Sequence, residues 1–341
     1  MRKYRSVAIV IITAFSMLFL IVNAKNALIY ASDAMKLCTT SLIPSLFPFM
    51  FLAILLNNDL TGYRFRFLQF IPKICRSPEG SESIFLLGIL GGYPVGAQII
   101  SNAYENGSLK KEDAQRMLGF CNNAGPSFIF GIIGPLFHTL IPPISLWLIQ
   151  IFSALMTGAL LPGCSYGKIV VNHNANISAT TALERSVKTM GLICGWVLLF
   201  RIMVGFINQK LSALFPKCLS ILLAGLLELT NGSMALYSVE NAGTRFILAS
   251  LFLTIGGLCV ALQTASAAKS LNMKSYMLAK AIQGIISVGF AYIIQYFIFP
   301  AEDRFTASGI TIVIFLLLAL TAIIFISCKK IVAFRNKLVY N

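Results

Sequence analysis

The sequence predicts an all-α, polytopic membrane protein, and three observations carry that prediction. Of 341 residues, 57% are hydrophobic and only 11% are charged, whereas a soluble domain carries about 25% charged residues. Mean hydropathy is +0.81. The apolar residues also gather into about ten segments, near 6–24, 37–57, 84–103, 117–141, 144–162, 187–207, 211–229, 246–266, 281–300 and 308–328. Each approaches the roughly 20 residues needed to cross a hydrocarbon core.

The first segment follows Arg2, Lys3 and Arg5. It reads as an uncleaved first helix in preference to a signal peptide ending near Val22-Asn23-Ala24. The polar intervals at 58–83 and 163–186 are too short for a folded soluble domain, so any chemistry belongs in or beside the membrane helices. Basic residues outnumber acidic ones, 27 to 12. Because they are spread over short loops, they point to membrane orientation and not to nucleic acid. The 8 cysteines form no C-x-x-C pair and there are only 2 histidines, so neither a metal site nor a cofactor is expected.

Both termini are basic and are expected on the cytoplasmic side. The loops at 58–83 and 104–116 are basic as well, which conflicts with a simple crossing at 84–103. A re-entrant hairpin there removes the conflict. The segment is interrupted by Gly91-Gly92-Tyr93-Pro94-Val95-Gly96, and glycine and proline together end a helix. Irregular backbone at membrane depth needs protein or a water-filled cavity around it.

A second interruption, Cys121-Asn122-Asn123-Ala124-Gly125-Pro126-Ser127, combines two asparagine amides with a Gly-Pro step. The bland reading is a capped loop; the functional one is a ligand or ion site, with Pro126 and Ser127 opening a half-helix whose N–H groups suit an anion. Glu228-Leu229-Thr230-Asn231-Gly232 closes another apolar segment with a carboxylate, which is expected either to hold a coupling cation or to mark the interface. Arg201 is the basic residue expected well inside a span. Its guanidinium is assigned either to Glu228 or to a substrate carboxylate.

An internal echo links Gly91-Gly92-x-x-Val95-x-x-Gln98-x-x-Ser101 with Gly256-Gly257-x-x-Val260-x-x-Gln263-x-x-Ser266. Gln98 and Ser101 are therefore expected to face the same cavity as Gln263 and Ser266. Paired interrupted segments are the usual sequence pointer to a transporter site. No acid–base pair or Cys–His pair is visible, so the chain is not expected to be an enzyme. A structural or assembly role is the other class, with the polar motifs acting as packing contacts.

These motifs, with Pro44-Ser45-Leu46-Phe47-Pro48-Phe49, resemble the sporulation integral membrane protein YlbJ family over about residues 34–290. The resemblance implies two Gate-type repeats, similar to parts of concentrative nucleoside transporters, in a bacterial cell or forespore membrane. It also implies movement of dipicolinate or a similar carboxylate, with a nucleoside as the alternative solute. The implied division is an N-terminal transmembrane helix (1–30), a first repeat (31–162), a connecting loop (163–186), a second repeat (187–300) and a C-terminal helix with a basic tail (301–341). The second-half motif Gly256-Gly257-Leu258-Cys259-Val260 lacks the family's proline, so strict equivalence of the halves does not follow. Gly92, Pro94, Gln98, Ser101, Asn122, Asn123, Gly125, Pro126, Ser127, Arg201, Glu228, Thr230, Asn231, Gln263 and Ser266 are the expected substrate-binding residues. The expected partners are a small solute, a coupling cation and the lipid bilayer, with a homo-oligomer left open.

Overall fold

A computed structural model describes residues 2–163, 167–169, 178–211 and 216–305. Among them the regular structure is helical, apart from one isolated parallel bridge between Glu79 and Lys168. The expected span at 308–328, the basic tail and His173 lie outside the described residues.

The first half opens with α1 (Arg2–Val22) and α2 (Ala24–Leu37), which runs through a π-helical turn at Cys38–Leu42 into α3 (Ile43–Leu60). Short α4 (Phe70–Cys75) leads to α5 (Ser81–Gly91) and α6 (Val95–Glu105). Next come α7 (Lys111–Cys121) and α8 (Pro126–Phe128), the latter continuing through tight and wide turns to Leu136, and then α9 (Ile141–Leu160). The second half holds α10 (Ala179–Leu211), α11 (Lys217–Leu227), α12 (Leu229–Ala235), α13 (Ala242–Ile255), α14 (Gly257–Ala267) and α15 (Met273–Ile298). Each half thus runs in one order: a long helix, two broken helices, a long helix. In space α10 packs on α2 and α3, and α15 packs on α9, α7 and α13.

Five helical stretches among the described residues are long and apolar enough to cross a bilayer: Ala24–Leu56, Ile141–Leu160, Ala179–Ile207, Ala242–Ala267 and Met273–Ile298. Apolar side chains on their outer faces and on α1 are exposed, Val22 and Phe297 by more than 80%, as a lipid-facing belt requires. The protein is an integral membrane protein. The sequence reading of about ten segments included four that do not stand as unbroken helices, 84–103, 117–141, 211–229 and 246–266. A hydropathy window counts apolar residues but does not record the direction of the chain.

The segments 84–103 and 211–229 instead contribute arms of hairpins. Gly88 and Gly96 lie face to face, since a β-carbon on Gly88 would come 3.6 Å from the Gly96 Cα; a straight helix would part them by about 12 Å. In the second half a β-carbon on Gly232 would collide with the Gly225 Cα and sit 2.8 Å from the Gly225 nitrogen. The chain therefore reverses at Gly92-Tyr93-Pro94 and again at Glu228. Gly92 adopts φ +73°, a left-handed conformation that costs a glycine little. Glycine also lets the arms touch along their backbones, as in membrane helix pairs.

The other two broken helices lie against the hairpin tips. A β-carbon on Gly125 would meet the Gly92 Cα at 3.1 Å, and one on Gly257 would meet the Gly225 oxygen at 2.9 Å and the Glu228 nitrogen at 3.2 Å. On the outer side, Arg116 donates to the carbonyls of Cys75, Arg76 and Gly158, tying the end of α4 and the last turn of α9 to α7.

Two expectations follow. In a background without native cysteines, Arg66→Cys and Gly107→Cys, which flank the first hairpin, should react with a membrane-impermeant maleimide from the same face of the membrane; labelling from opposite faces would show that 81–105 crosses. Gly88→Ala should lower stability by about 1–3 kcal/mol, as overpacking does, because its new methyl meets the Cys121 carbonyl; the detergent-solubilised melting transition measures this.

Candidate functional site

The breaks leave helix-end N–H and C=O groups without intrahelical partners, and the side chains the sequence singled out serve them. Asn122 Oδ1 accepts from the Ala97 N–H in the first turn of α6 at 3.2 Å. Its amide nitrogen donates to Thr264 Oγ1 at 3.0 Å and to the Tyr276 hydroxyl at 3.4 Å. Asn123 donates to the Phe120 carbonyl at the end of α7, at 2.7 Å. Both asparagines are fully buried.

In the second half Glu228, 2% exposed, is its own hairpin's cap. Oε1 accepts from the Thr230 N–H at 2.9 Å and Oε2 from the Asn231 N–H at 2.6 Å. Asn231 Oδ1 accepts from Arg201 Nη1 at 2.7 Å, and Arg201 Nη2 lies 3.6 Å from Asp33 Oδ2 on α2. The structural alternative for Arg201 is a direct pair with Glu228, the functional one a substrate carboxylate. In the structure Asn231 stands between them and the counter-charge is Asp33, a residue the sequence reading passed over. The Glu228 carboxylate is enclosed by protein.

The four breaks meet at one cavity of about 40 Å³. Gly92 and Tyr93 come from the first hairpin tip, Gly125 and Phe128 from the α7–α8 break, Glu228 and Thr230 from the second tip, and Gln263 from α14. Beside these breaks, the Ser127 hydroxyl and the Asn231 amide nitrogen are buried without a hydrogen-bond partner among the described residues. Buried polar atoms are nearly always paired; neither orphan lines the cavity, although each adjoins in the chain a residue that does, Phe128 and Thr230.

Of the expected site residues, Gly92, Gly125, Glu228, Thr230 and Gln263 line the cavity, while Pro94, Asn122, Asn123, Pro126, Ser127 and Asn231 belong to the same four breaks. Gln98 does not reach it and donates to Thr189 on α10 at 2.9 Å. Ser101 donates to Glu105 at 3.0 Å. Ser266 is exposed and bonds its own helix at the Leu262 carbonyl, 2.9 Å away. The proposed Gln–Ser equivalence therefore does not gather around one cavity. It also pairs the returning arm of a hairpin, α6, with the second part of an unwound helix, α14.

The reading of Arg201 as the basic residue inside a span missed Lys280. Lys280 is 1% exposed on α15. Its ammonium donates to Asn123 Oδ1 at 3.0 Å and Gln283 Oε1 at 2.8 Å, and it lies 5.3 Å from the Tyr93 ring centre and 5.9 Å from that of Tyr276. Gln283 also donates to Asn123 at 2.8 Å. A buried polar seam continues between α9, α13 and α15: Thr254 donates to Gln150 at 3.1 Å and to Ser287 at 2.8 Å, and Ser287 meets Ser250 at 2.5 Å. The helical spacing of Lys280, Gln283 and Ser287 was the available signal. It went unread because Lys280 stood one residue outside the apolar window that began at 281.

No protein-family profile matches the chain, and no solved structure does. It is similar to the sporulation integral membrane protein YlbJ of Bacillus subtilis (strain 168), with 23% identity over 302 residues that cover 74% of this chain and 73% of that protein. The resemblance read from the four motifs is borne out by that match, and the chain is an integral membrane protein related to a sporulation integral membrane protein.

Proposed function

We propose that the protein is not an enzyme but a transporter, carrying a small carboxylate-bearing solute such as dipicolinate across the membrane of a sporulating bacterium. The observation that supports this most is the meeting of two hairpin tips and two unwound helices at one small cavity. A purely structural bundle has no need to break four helices at membrane depth, where every freed backbone group must be re-paired. Broken helices around a central site are the common plan of secondary transporters.

Residues 31–162 and 187–300 are then two Gate-type repeats. The pairing supported by element order differs from the sequence echo: α5–α6 corresponds to α11–α12, and α7–α8 to α13–α14. At about 40 Å³ the cavity has room for only one or two waters, and on the transport reading that contracted size corresponds to an occluded form. A solute of ten or more heavy atoms enters only when a hairpin withdraws from the opposite half. Each hairpin tip is tied by few polar bonds, which suits a gate.

An anionic solute is favoured by Lys280 behind the first hairpin tip, although the charged residue in the cavity wall itself is Glu228. Lys280 is buried without a carboxylate partner among the described residues, and the unpaired groups at the site include a hydroxyl and an amide N–H donor, Ser127 and Asn231. A neutral nucleoside is the second reading, favoured by the Tyr93 and Phe128 rings in the cavity wall. Both Glu228 oxygens already accept backbone N–H groups, so Glu228 is better read as the lock of the second hairpin than as a coupling-cation ligand.

In proteoliposomes exchanging labelled dipicolinate, Asn123→Ala and Glu228→Gln should abolish exchange while inserting normally, and Gln98→Ala and Ser266→Ala should exchange at the wild-type rate. Normal exchange by both of the first pair would mean that the site has been misplaced. In the same liposomes excess unlabelled pyridine-2,6-dicarboxamide, the neutral isostere, should compete at least an order of magnitude less well than unlabelled dipicolinate. Equal competition, or competition by uridine alone, would favour the nucleoside reading.

A further inference from the structure

Lys280 is a buried charge with no counter-charge among the described residues. An ammonium in a helix centre costs about 2.5–3.5 kcal/mol even on the mildest scale, and a methionine of similar length would fill the space without that cost. A purely structural contact therefore leaves its presence unexplained.

Its surroundings have the character of a monovalent-cation site. Two neutral amide oxygens, from Asn123 and Gln283, approach at 3.0 and 2.8 Å, and the Tyr93 ring faces it at 5.3 Å. Amide oxygens and aromatic faces stabilise a cation without neutralising it. Its placement is functional as well. Asn123 lies in the α7–α8 break and Tyr93 forms the first hairpin tip and the cavity wall, so the ammonium, carried on a second-half helix, grips both breaks of the first half.

We propose that Lys280 is a tethered cation: its ammonium fills, from within the chain, the position a coupling ion would take between the two halves, so that transport requires no sodium or potassium ion. This rests on the transport reading above. The charge draws the first hairpin and its neighbouring break onto α15 in the occluded form, and it offsets the negative charge of a carboxylate brought into the cavity beside Tyr93. A neutral side chain at 280 leaves Asn123 Oδ1 with the Gln283 amide N–H and leaves Gln283 Oε1 without the ammonium that it accepts from.

The test is dipicolinate exchange in proteoliposomes whose only salt is N-methylglucamine chloride, compared with sodium chloride and potassium chloride. Wild type should exchange equally in all three. Lys280→Ala should lose exchange by an order of magnitude or more in N-methylglucamine and regain most of it when ammonium or methylammonium chloride is added. A melting transition of the purified variant close to that of wild type shows that the loss is not unfolding, and the wild-type comparison decides the question even where the variant does not fold. Exchange by wild type only with sodium or potassium overturns this inference alone, as does a folded Lys280→Ala that exchanges normally or is not rescued. A wild type inert in every salt overturns the transport reading and this inference with it.

Discussion

The constraint on which the rest of the structure depends is that a helix broken inside a packed apolar interior must have its freed backbone groups paired again by protein. The chain breaks four such helices and meets the requirement with three side chains above all. Asn122 takes the Ala97 N–H, Asn123 gives to the Phe120 carbonyl, and Glu228 takes the N–H groups of Thr230 and Asn231. Because these partners are short, the breaks have to lie almost in contact. That explains the glycines at Gly88, Gly96, Gly225 and Gly232, where any side chain would hold the backbones apart. The position of the cavity follows, since four breaks packed this closely leave between them a small, largely apolar space edged by Glu228, Thr230 and Gln263.

Glycine and proline inside an apolar window made the first two breaks legible in the sequence, at Gly92–Pro94 and at Asn122–Gly125. The all-helical class followed from composition in the same way. Whether a broken segment crosses or returns was less accessible, because hydropathy has no sign for direction. Only the conflict between two basic loops hinted at the first hairpin, and nothing comparable marked the second. Glu228 was recognisable as a costly buried carboxylate, but its capping role depends on a reversal of the chain that the local sequence does not spell out. The Gln98–Ser101 and Gln263–Ser266 echo misled because glycine pairs followed by small apolar residues recur in any close-packed membrane segment. Lys280 was lost to a boundary one residue wide.

Charge in the interior is arranged unequally between the halves. The second hairpin carries its own carboxylate, which faces backbone N–H groups, while Arg201 is balanced by Asp33 across α2 and α10. The first half has neutral amides at its break and borrows its cation from α15. The two tips are therefore not interchangeable, even though their helices follow one order.

Several of the bonds that close the site run between the halves: Asn122 to Thr264, the Tyr93 hydroxyl to the Thr254 carbonyl at 2.9 Å, and Lys280 to Asn123. A neutral hydrogen bond contributes a net ~1 kcal/mol, and one to a charged group about 1.5–3 kcal/mol. Withdrawing the first hairpin and its neighbouring break therefore forfeits only a few kcal/mol, much of which water or a polar solute returns by bonding the same groups. That is the scale on which two conformations of one protein coexist in measurable proportion. On the transport reading, the Ser127 hydroxyl and the Asn231 amide, closed off in this form, become available to a solute only when the seam opens. The orphaned atoms and the weak seam between the halves are thus parts of one device.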